Sequence, residues 1–206
     1  MTNKEAREKM FCRKLQFDSD NKWGIPFIHK NPLKRLDIQL LGFDEIGKLD
    51  HGNEDKTIHF FKEDYKFINV YENPNKFIER LARFESLLTP DFSMYTDFPL
   101  AMQIYSTYMN RWCGAYWQYC GLTVIPTVSW STNESFDFAF SGIEKGSIIA
   151  VSTIGTRKEE KLFMEGYNEM LKIIQPELIY CYGKPFNGMV GDVYFIDRYN
   201  TMRPAS

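Results

Sequence analysis

The chain has 206 residues, of which 44% are hydrophobic and 25% are charged, and its formal net charge is −2. This composition is typical of a globular protein and excludes a chain too polar to form a core. The near-neutral charge argues against nucleic acid as the partner, because binding along a phosphate backbone requires a basic surface.

Residues 1–34 are predicted to form an irregular leader, and residues 35–200 a single α/β domain. Gly24, Pro26 and Pro32 interrupt the leader, and both residue types break regular structure. The first residues are charged and show no apolar signal segment, so we expect a cytoplasmic protein. The nearly uncharged stretch 99–120 contains several polar side chains that would be costly in lipid, and no membrane span is predicted.

Hydrophobic patterns after the leader predict strands that alternate with helices. The predicted strands are short and rich in apolar residues: 37–43, 57–61, 66–71, 86–89, 122–128, 147–152, 177–182 and 192–196. The predicted helices have apolar stripes at helical spacing: 73–84, 97–120 with Asp97 as its N-cap, and 159–175. Strands separated by such helices imply parallel βαβ units, so the predicted fold is α/β with a mainly parallel sheet. The pattern leaves open whether this sheet is flat or forms a partial barrel.

One long segment is almost free of charge. Between Glu85 and Glu134 the charged side chains are Asp91, Asp97 and Arg111. Charged residues are rarely buried unless they are paired. The segment is therefore predicted to be enclosed by the rest of the protein, with its few charges paired or functional.

The candidate site lies where the predicted parallel strands end, because α/β proteins bind ligands beyond the carboxyl ends of their strands. Asp91 follows a proline at such an end, and a rigid carboxylate there suits acid–base or hydrogen-bonding work. A turn aspartate that bonds its own backbone would have the same sequence pattern. Further candidate ligand-binding residues lie at these ends or on the helix between them: Ser93, Arg111, Gln118, Trp130, Ser152, Thr153 and Lys184.

Arg111 and Gln118 lie on a polar stripe of the predicted helix 97–120, opposite an apolar face expected to contact the sheet. A polar but uncharged stripe suits hydrogen bonds to a partner protein or to an anionic ligand. In the ligand hypothesis Arg111 and Lys184 bind an anion, and Trp130 stacks on a ring. In the alternative, Arg111 pairs with Asp91 or Asp97.

The sequence indicates no metal site and names no cofactor. Its three histidines are scattered, and its four cysteines contain no CxxC pair, whereas zinc sites have closely spaced ligands.

A series of motifs resembles the uncharacterised family known as domain of unknown function 4417. In chain order they are TPDFSMYTDFP, NRWCGAYWQ, VIPTVSWS, SFDFAFSGIEKGSIIAVSTIG and YCYGKP. The resemblance covers about residues 20–190. It implies a protein of a phage, plasmid or other mobile element, or of its bacterial host, and it supplies no catalytic residues.

Two functional hypotheses follow. In the first, the chain is a small-ligand or nucleotide-directed α/β protein with its site at the strand ends. In the second, it is a non-catalytic mobile-element protein that binds a host protein, since tyrosine and tryptophan are common interface anchors. The sequence does not decide whether the protein is an enzyme.

Overall fold

The computed structural model describes Thr2 and residues 16–31, 37–47 and 51–197. Within these residues the chain forms parallel strands with helices between them, which confirms the predicted α/β class. The strands are β1 Leu40–Gly42, β2 Thr57–His59, β3 Ser86–Leu88, β4 Val124–Ile125, β5 Ile148–Ser152, β6 Leu178–Tyr182 and β7 Val193–Ile196.

The strands form two parallel sheets, β1-β2-β3-β4 and β5-β6-β7, in the order in which they occur along the chain. A single parallel bridge between Thr127 and Ala150 joins the two sheets just beyond β4. The combined surface is curved, since the rings of His59 in β2 and Tyr182 in β6 lie 5.1 Å apart. In the described residues β1 does not pair with β7, so the arrangement is open rather than a closed barrel.

Alternate residues of the strands divide the core into an inner and an outer layer, because successive strand side chains point to opposite faces. The concave side holds one cluster that draws on both sheets, including Leu40, Leu88, Ile125, Ile148 and Tyr180. The opposite faces of the two sheets each contact helices through separate buried clusters. The sheets are thus covered on both sides, as the apolar runs of their strands require.

Helices of very different length connect the strands. The α-helices are α1 Asn69–Glu72, α2 Ile78–Leu81, α3 Leu100–Tyr119, α4 Phe136–Ala139 and α5 Glu160–Ile174. Short 3₁₀ helices lie at Phe43–Glu45, Asp64–Lys66, Pro74–Lys76, Asn133–Ser135 and Arg157–Glu159. The predicted helix 97–120 corresponds to α3, although Asp97 does not cap it: the N-cap is Pro99 and lacks a side-chain hydrogen bond.

The strand predicted at 66–71 is wrong, because this segment is helical. It contains the end of a 3₁₀ helix and most of α1. Phe67, Val70 and Tyr71 are all buried, and their spacing of three and four residues places them on one helical face. The run of apolar residues was too short to separate this pattern from a strand.

Two further elements are shorter than predicted. The predicted helix 73–84 is divided into the 3₁₀ helix Pro74–Lys76 and the short α2. The predicted strand 122–128 contracts to β4, which ends before Pro126. Proline has no amide hydrogen to donate to a sheet, and here its carbonyl accepts a hydrogen bond of 2.8 Å from the Ala150 amide.

The described part of the leader, residues 16–31, has no helix and is attached to the α/β body. Ile25 and Ile28 are fully buried. Ile28 forms a parallel bridge with Ile143, and its amide donates to the Gly142 carbonyl at 2.9 Å. The other predicted leader residues except Thr2, and residues 198–200 of the predicted domain, lie outside the described residues. No helix in the described part of the chain has the length and apolar character needed to span a membrane.

Gly142→Ala tests the attachment of this segment. Gly142 has φ +72°, and a Cβ there would lie 2.2 Å from the Pro26 carbonyl oxygen, so backbone would have to move. Gly146 is the matched control, because it has φ +76° with nothing near its absent Cβ. We expect Gly146→Ala to cost about 1–2 kcal/mol from the left-handed backbone alone, and Gly142→Ala to cost more by at least about 2 kcal/mol.

The measurement is urea unfolding of both variants and the wild type. Equal losses of stability in the two variants would contradict the close approach of residues 25–28 to the loop after α4.

Candidate functional site

A cavity of about 750 Å³ lies at the carboxyl ends of β2, β3, β4 and β5. Its lining comes from residues that follow these four strands and from the start of α5. This is the edge at which parallel α/β proteins bind ligands. Of the residues predicted for the site, the structure brings four together in the lining: Asp91, Ser93, Trp130 and Ser152.

Asp91 combines access to the cavity with an unusual electrostatic environment. Burial of its carboxyl raises the pKa to about 7, and the nearby charge of Asp64 acts in the same direction. A hydrogen bond from Ser129 and the positive charge of Arg111 act to lower the pKa and only partly offset the burial. The residue is half-buried, which is consistent with a carboxyl that meets solvent only through the cavity.

Asp64 and Ser93 hold the loop that carries Asp91. The Ser93 amide donates to both Asp64 oxygens at 3.3 and 3.2 Å, and its hydroxyl donates to Asp64 Oδ1 at 2.9 Å. The predicted turn role of Asp91 is thus taken by another aspartate, which bonds the backbone of the loop after β3. This leaves the Asp91 carboxyl to Ser129 and the cavity.

Arg111 is not part of the cavity lining, and its guanidinium is buried in the protein interior. The residue is 1% exposed, and it donates to the carbonyls of Thr127, Ala139 and Ser141 at 3.0, 2.8 and 3.1 Å. Burial lowers its pKa to about 9, against the opposing effect of Asp91, so it is charged at neutral pH. No ion pair joins it to Asp91 or Asp97 among the described residues, although the Asp91 charge is near enough to be felt.

The polar stripe of α3 faces the protein interior, contrary to the orientation expected from the sequence. Gln103, Thr107, Asn110 and Arg111 are all buried, whereas Tyr105 on the apolar side is 52% exposed. Asn110 donates to the carbonyls of Pro90 and Thr127 at 2.8 and 3.2 Å. The stripe therefore satisfies backbone groups that follow β3 and β4, where the sheet hydrogen bonds stop.

Gln118, Thr153 and Lys184 also lie outside the cavity lining. Gln118 pairs with both backbone groups of His29, at 3.0 and 2.7 Å. The Thr153 hydroxyl donates to the Lys184 carbonyl at 2.9 Å, and Lys184 itself is exposed. All three residues thus take part in internal hydrogen bonds, Lys184 through its backbone carbonyl.

Sequence reasoning missed the charged wall of the cavity, formed by Lys62, Glu63 and Lys66 after β2. Lys62 Nζ lies 3.2 Å from Asp44 and 3.3 Å from Glu45. Lys66 Nζ lies 3.4 Å from Asp44 and 2.9 Å from Glu63. The end of the strand that precedes these residues could have predicted their place at the cavity. The strand wrongly predicted at 66–71 left no loop of this length after β2.

Trp130 forms an aromatic wall and is fixed by α5. A Cβ on Gly166 would lie 2.2 Å from the indole ring, so the absence of a side chain there lets the ring lie against the helix. Phe163 lies on the same side, with its ring centre 4.9 Å from that of Trp130. The part of the chain that the structure describes contains no group of three or more histidine, cysteine or acidic residues arranged to hold a metal ion.

The fold and the site define an α/β protein with a mixed polar and aromatic cavity at its strand ends. The chain belongs to the family described as Domain of unknown function (DUF4417), whose model matches residues 17–200. The resemblance of its motifs to this family is thereby confirmed.

Two phage proteins are similar to the chain. It is 35% identical to the Gene 1 protein of Mycobacterium phage L5 over 175 residues, which cover 83% of this chain and 76% of that protein. It is 42% identical to the Gene 1 protein of Mycobacterium phage D29 over 131 residues, which cover 62% of this chain and 48% of that protein. No solved structure gives a significant match.

Arg111→Met should unfold the protein far more easily than an ordinary surface change. The substitution removes the side-chain donor of the Ala139 and Ser141 carbonyls, whereas the Thr127 carbonyl keeps a second donor in Asn110; each unsatisfied buried group costs about 1–3 kcal/mol. We expect a loss of at least about 2 kcal/mol in urea unfolding, with Lys145→Met, at an exposed position, as the control. A loss below about 1 kcal/mol would show that the carbonyls do not depend on Arg111.

Asp91→Asn should stabilise the protein increasingly as pH rises from 4 to 8. The folded pKa of about 7 lies above the ordinary value of 3.8, so the wild-type protein loses stability as pH rises through this interval. The neutral amide avoids that loss, which amounts to about 1–4 kcal/mol at about 1.4 kcal/mol per pKa unit.

The measurement is the free energy of unfolding at several pH values. Asp97→Asn, at an exposed position, should follow the wild-type profile. A constant difference between Asp91→Asn and wild type across this range would place the Asp91 carboxyl in ordinary solvent.

Proposed function

We propose that this protein binds a small ligand in the cavity at the carboxyl ends of β2–β5, with Asp91 as its hydrogen-bonding or acid–base group. One observation carries the proposal: a cavity of about 750 Å³ contains a carboxyl whose pKa is raised to about 7. Small-molecule sites have volumes of about 300–1,000 Å³ and combine apolar walls with a few directed polar groups.

A carboxyl with a pKa near 7 is present in both protonation states at neutral pH. It can therefore accept a proton from a bound ligand or return one to it, and such groups are concentrated at functional sites. The proton would move between Asp91 and the ligand atom next to it, with Ser129 holding the carboxyl in place. If the protein is an enzyme, this is the step that its residues support best.

A second candidate function, binding of a host protein, is supported by the outer surface of α3. Four large apolar side chains of this helix are at least 40% exposed: Leu100, Met102, Tyr105 and Tyr119. Exposed aromatic residues of this kind are common interface anchors. This surface is separate from the cavity, so the two functions are distinguished by which variants abolish binding.

A panel of metabolites, nucleosides and nucleotides tests the ligand proposal by thermal shift. A compound present at 100 times its Kd should stabilise the folded protein by about 2.7 kcal/mol, which corresponds to roughly 5–10 °C for a chain of this size. Asp91→Asn should abolish the shift, because the amide cannot supply a carboxylate.

Asp97→Asn is the matched control and should retain the shift. A shift that survives Asp91→Asn would remove Asp91 from the site. If no compound binds, while a purified host protein binds and is released by Tyr105→Ala with Tyr119→Ala, the second function replaces the first.

A further inference from the structure

The two lysines of the cavity are poorly suited to bind an anion. Lys62 and Lys66 are each within 3.4 Å of two carboxylates, and Asp44 is shared between them. Their charges are therefore matched inside the protein. A phosphate group would have to displace these carboxylates, one of which is Glu63, and would also meet Glu159 in the same lining.

The Asp91 carboxyl, unlike the two lysines, is not paired with an opposite charge and is available to a ligand. Among the described residues it forms no ion pair, and its hydrogen bond comes from Ser129. The groups whose charges act on it are Asp64 and Arg111, and Arg111 is directed to backbone carbonyls. A ligand with an N–H donor can thus bond to Asp91 without breaking a strong contact.

Ser131 supplies an independent indication of a ligand. It lines the cavity and is 2% exposed, yet its hydroxyl has no hydrogen-bond partner among the described residues. Its backbone is held in place, since its amide donates to Ser135 Oγ at 2.9 Å. A buried hydroxyl without a partner costs free energy, and a ligand atom that accepts its hydrogen would remove that cost.

The walls next to these polar groups are aromatic. Phe92, Trp130 and Phe163 all contribute to the lining, and aromatic side chains contact flat rings favourably. The cavity thus presents an acceptor at Asp91, a donor at Ser131 and ring surfaces around them. This combination matches a flat heterocycle whose edge carries both an N–H donor and an acceptor.

We propose that the cavity binds a neutral nitrogen heterocycle of the nucleobase or nucleoside class, recognised by Asp91 and Ser131 and not through a phosphate group. The inference rests on the proposed function, because it names the ligand class of the same site. The ligand's N–H group donates to the Asp91 carboxylate, and a ring carbonyl or imino nitrogen accepts from Ser131 Oγ. A phosphate, where the ligand carries one, lies outside these contacts.

Calorimetric titration with adenosine, guanosine, cytidine and thymidine, and with the 5′-monophosphate of each, tests this inference. At least one nucleoside should bind, and its monophosphate should bind no more than tenfold more tightly. Ser131→Ala should weaken nucleoside binding by about tenfold through loss of one hydrogen bond. Ser106→Ala removes a buried hydroxyl of α3 that is not part of the lining and should leave binding unchanged.

Ser131→Ala should also fold with an undiminished melting temperature, because the hydroxyl it removes has no internal partner. A lower melting temperature would show that Ser131 is structural and would overturn its role. The inference is likewise overturned if ribose 5-phosphate or inorganic phosphate binds, or if a monophosphate gains more than tenfold and Lys66→Gln removes the gain.

The failure of this inference is distinguishable from the failure of the proposed function. If a compound of another class binds and Asp91→Asn abolishes its binding, the ligand class is wrong and the cavity is still the site. If no compound in either panel binds, both proposals fall.

Discussion

The buried guanidinium of Arg111 holds together the elements that form the site. Its three carbonyl partners belong to residues beyond β4 and around the end of α4, so one side chain of α3 ties these separate segments to the helix. A buried charge is costly unless its hydrogen bonds are satisfied, and carbonyl dipoles supply that compensation here without a carboxylate in contact. Asp91 is consequently not neutralised by an ion pair, although it lies near enough for its charge to be felt.

Because Arg111 binds carbonyls and not a carboxylate, it also affects the pKa of Asp91. A contact ion pair with Arg111 would have lowered its pKa well below the ordinary range, whereas burial dominates here and raises it to about 7. The protein therefore carries a carboxyl that is unfavourable for folding at neutral pH. Such a group is expected where function, not stability, determines the residue.

The sequence predicted the elements that have strong local signals, and it failed where tertiary contacts decide. Three elements were predicted to within one residue at each end: the strands 147–152 and 177–182 and the helix 159–175. Each has a clear apolar pattern, continuous in the strands and at helical spacing in the helix. The predicted direction of the polar stripe of α3 was wrong, because a polar face normally points to solvent. Nothing in the local sequence shows that backbone carbonyls in need of donors lie opposite this stripe. Asp91 was predicted from its place at a strand end, but Ser131 was missed because a hydroxyl without a partner is visible only in three dimensions.

An aromatic group lies beside the cavity and connects the two curved sheets. Phe61, in the lining, stacks on Tyr182 at the end of β6 with their ring centres 4.8 Å apart and their planes 7° from parallel. His59 contacts both rings, with ring centres 5.6 Å from Phe61 and 5.1 Å from Tyr182. Burial lowers the pKa of His59 to about 3, so it adds no charge at neutral pH. Phe61 is part of the cavity lining, whereas His59 and Tyr182 are not. Lys184, which follows β6, also lies outside the lining, although the order of the strands alone would have assigned it to the site. The cavity is bounded by rings, hydroxyls, the Asp91 carboxyl and the charged wall of Lys62, Glu63 and Lys66.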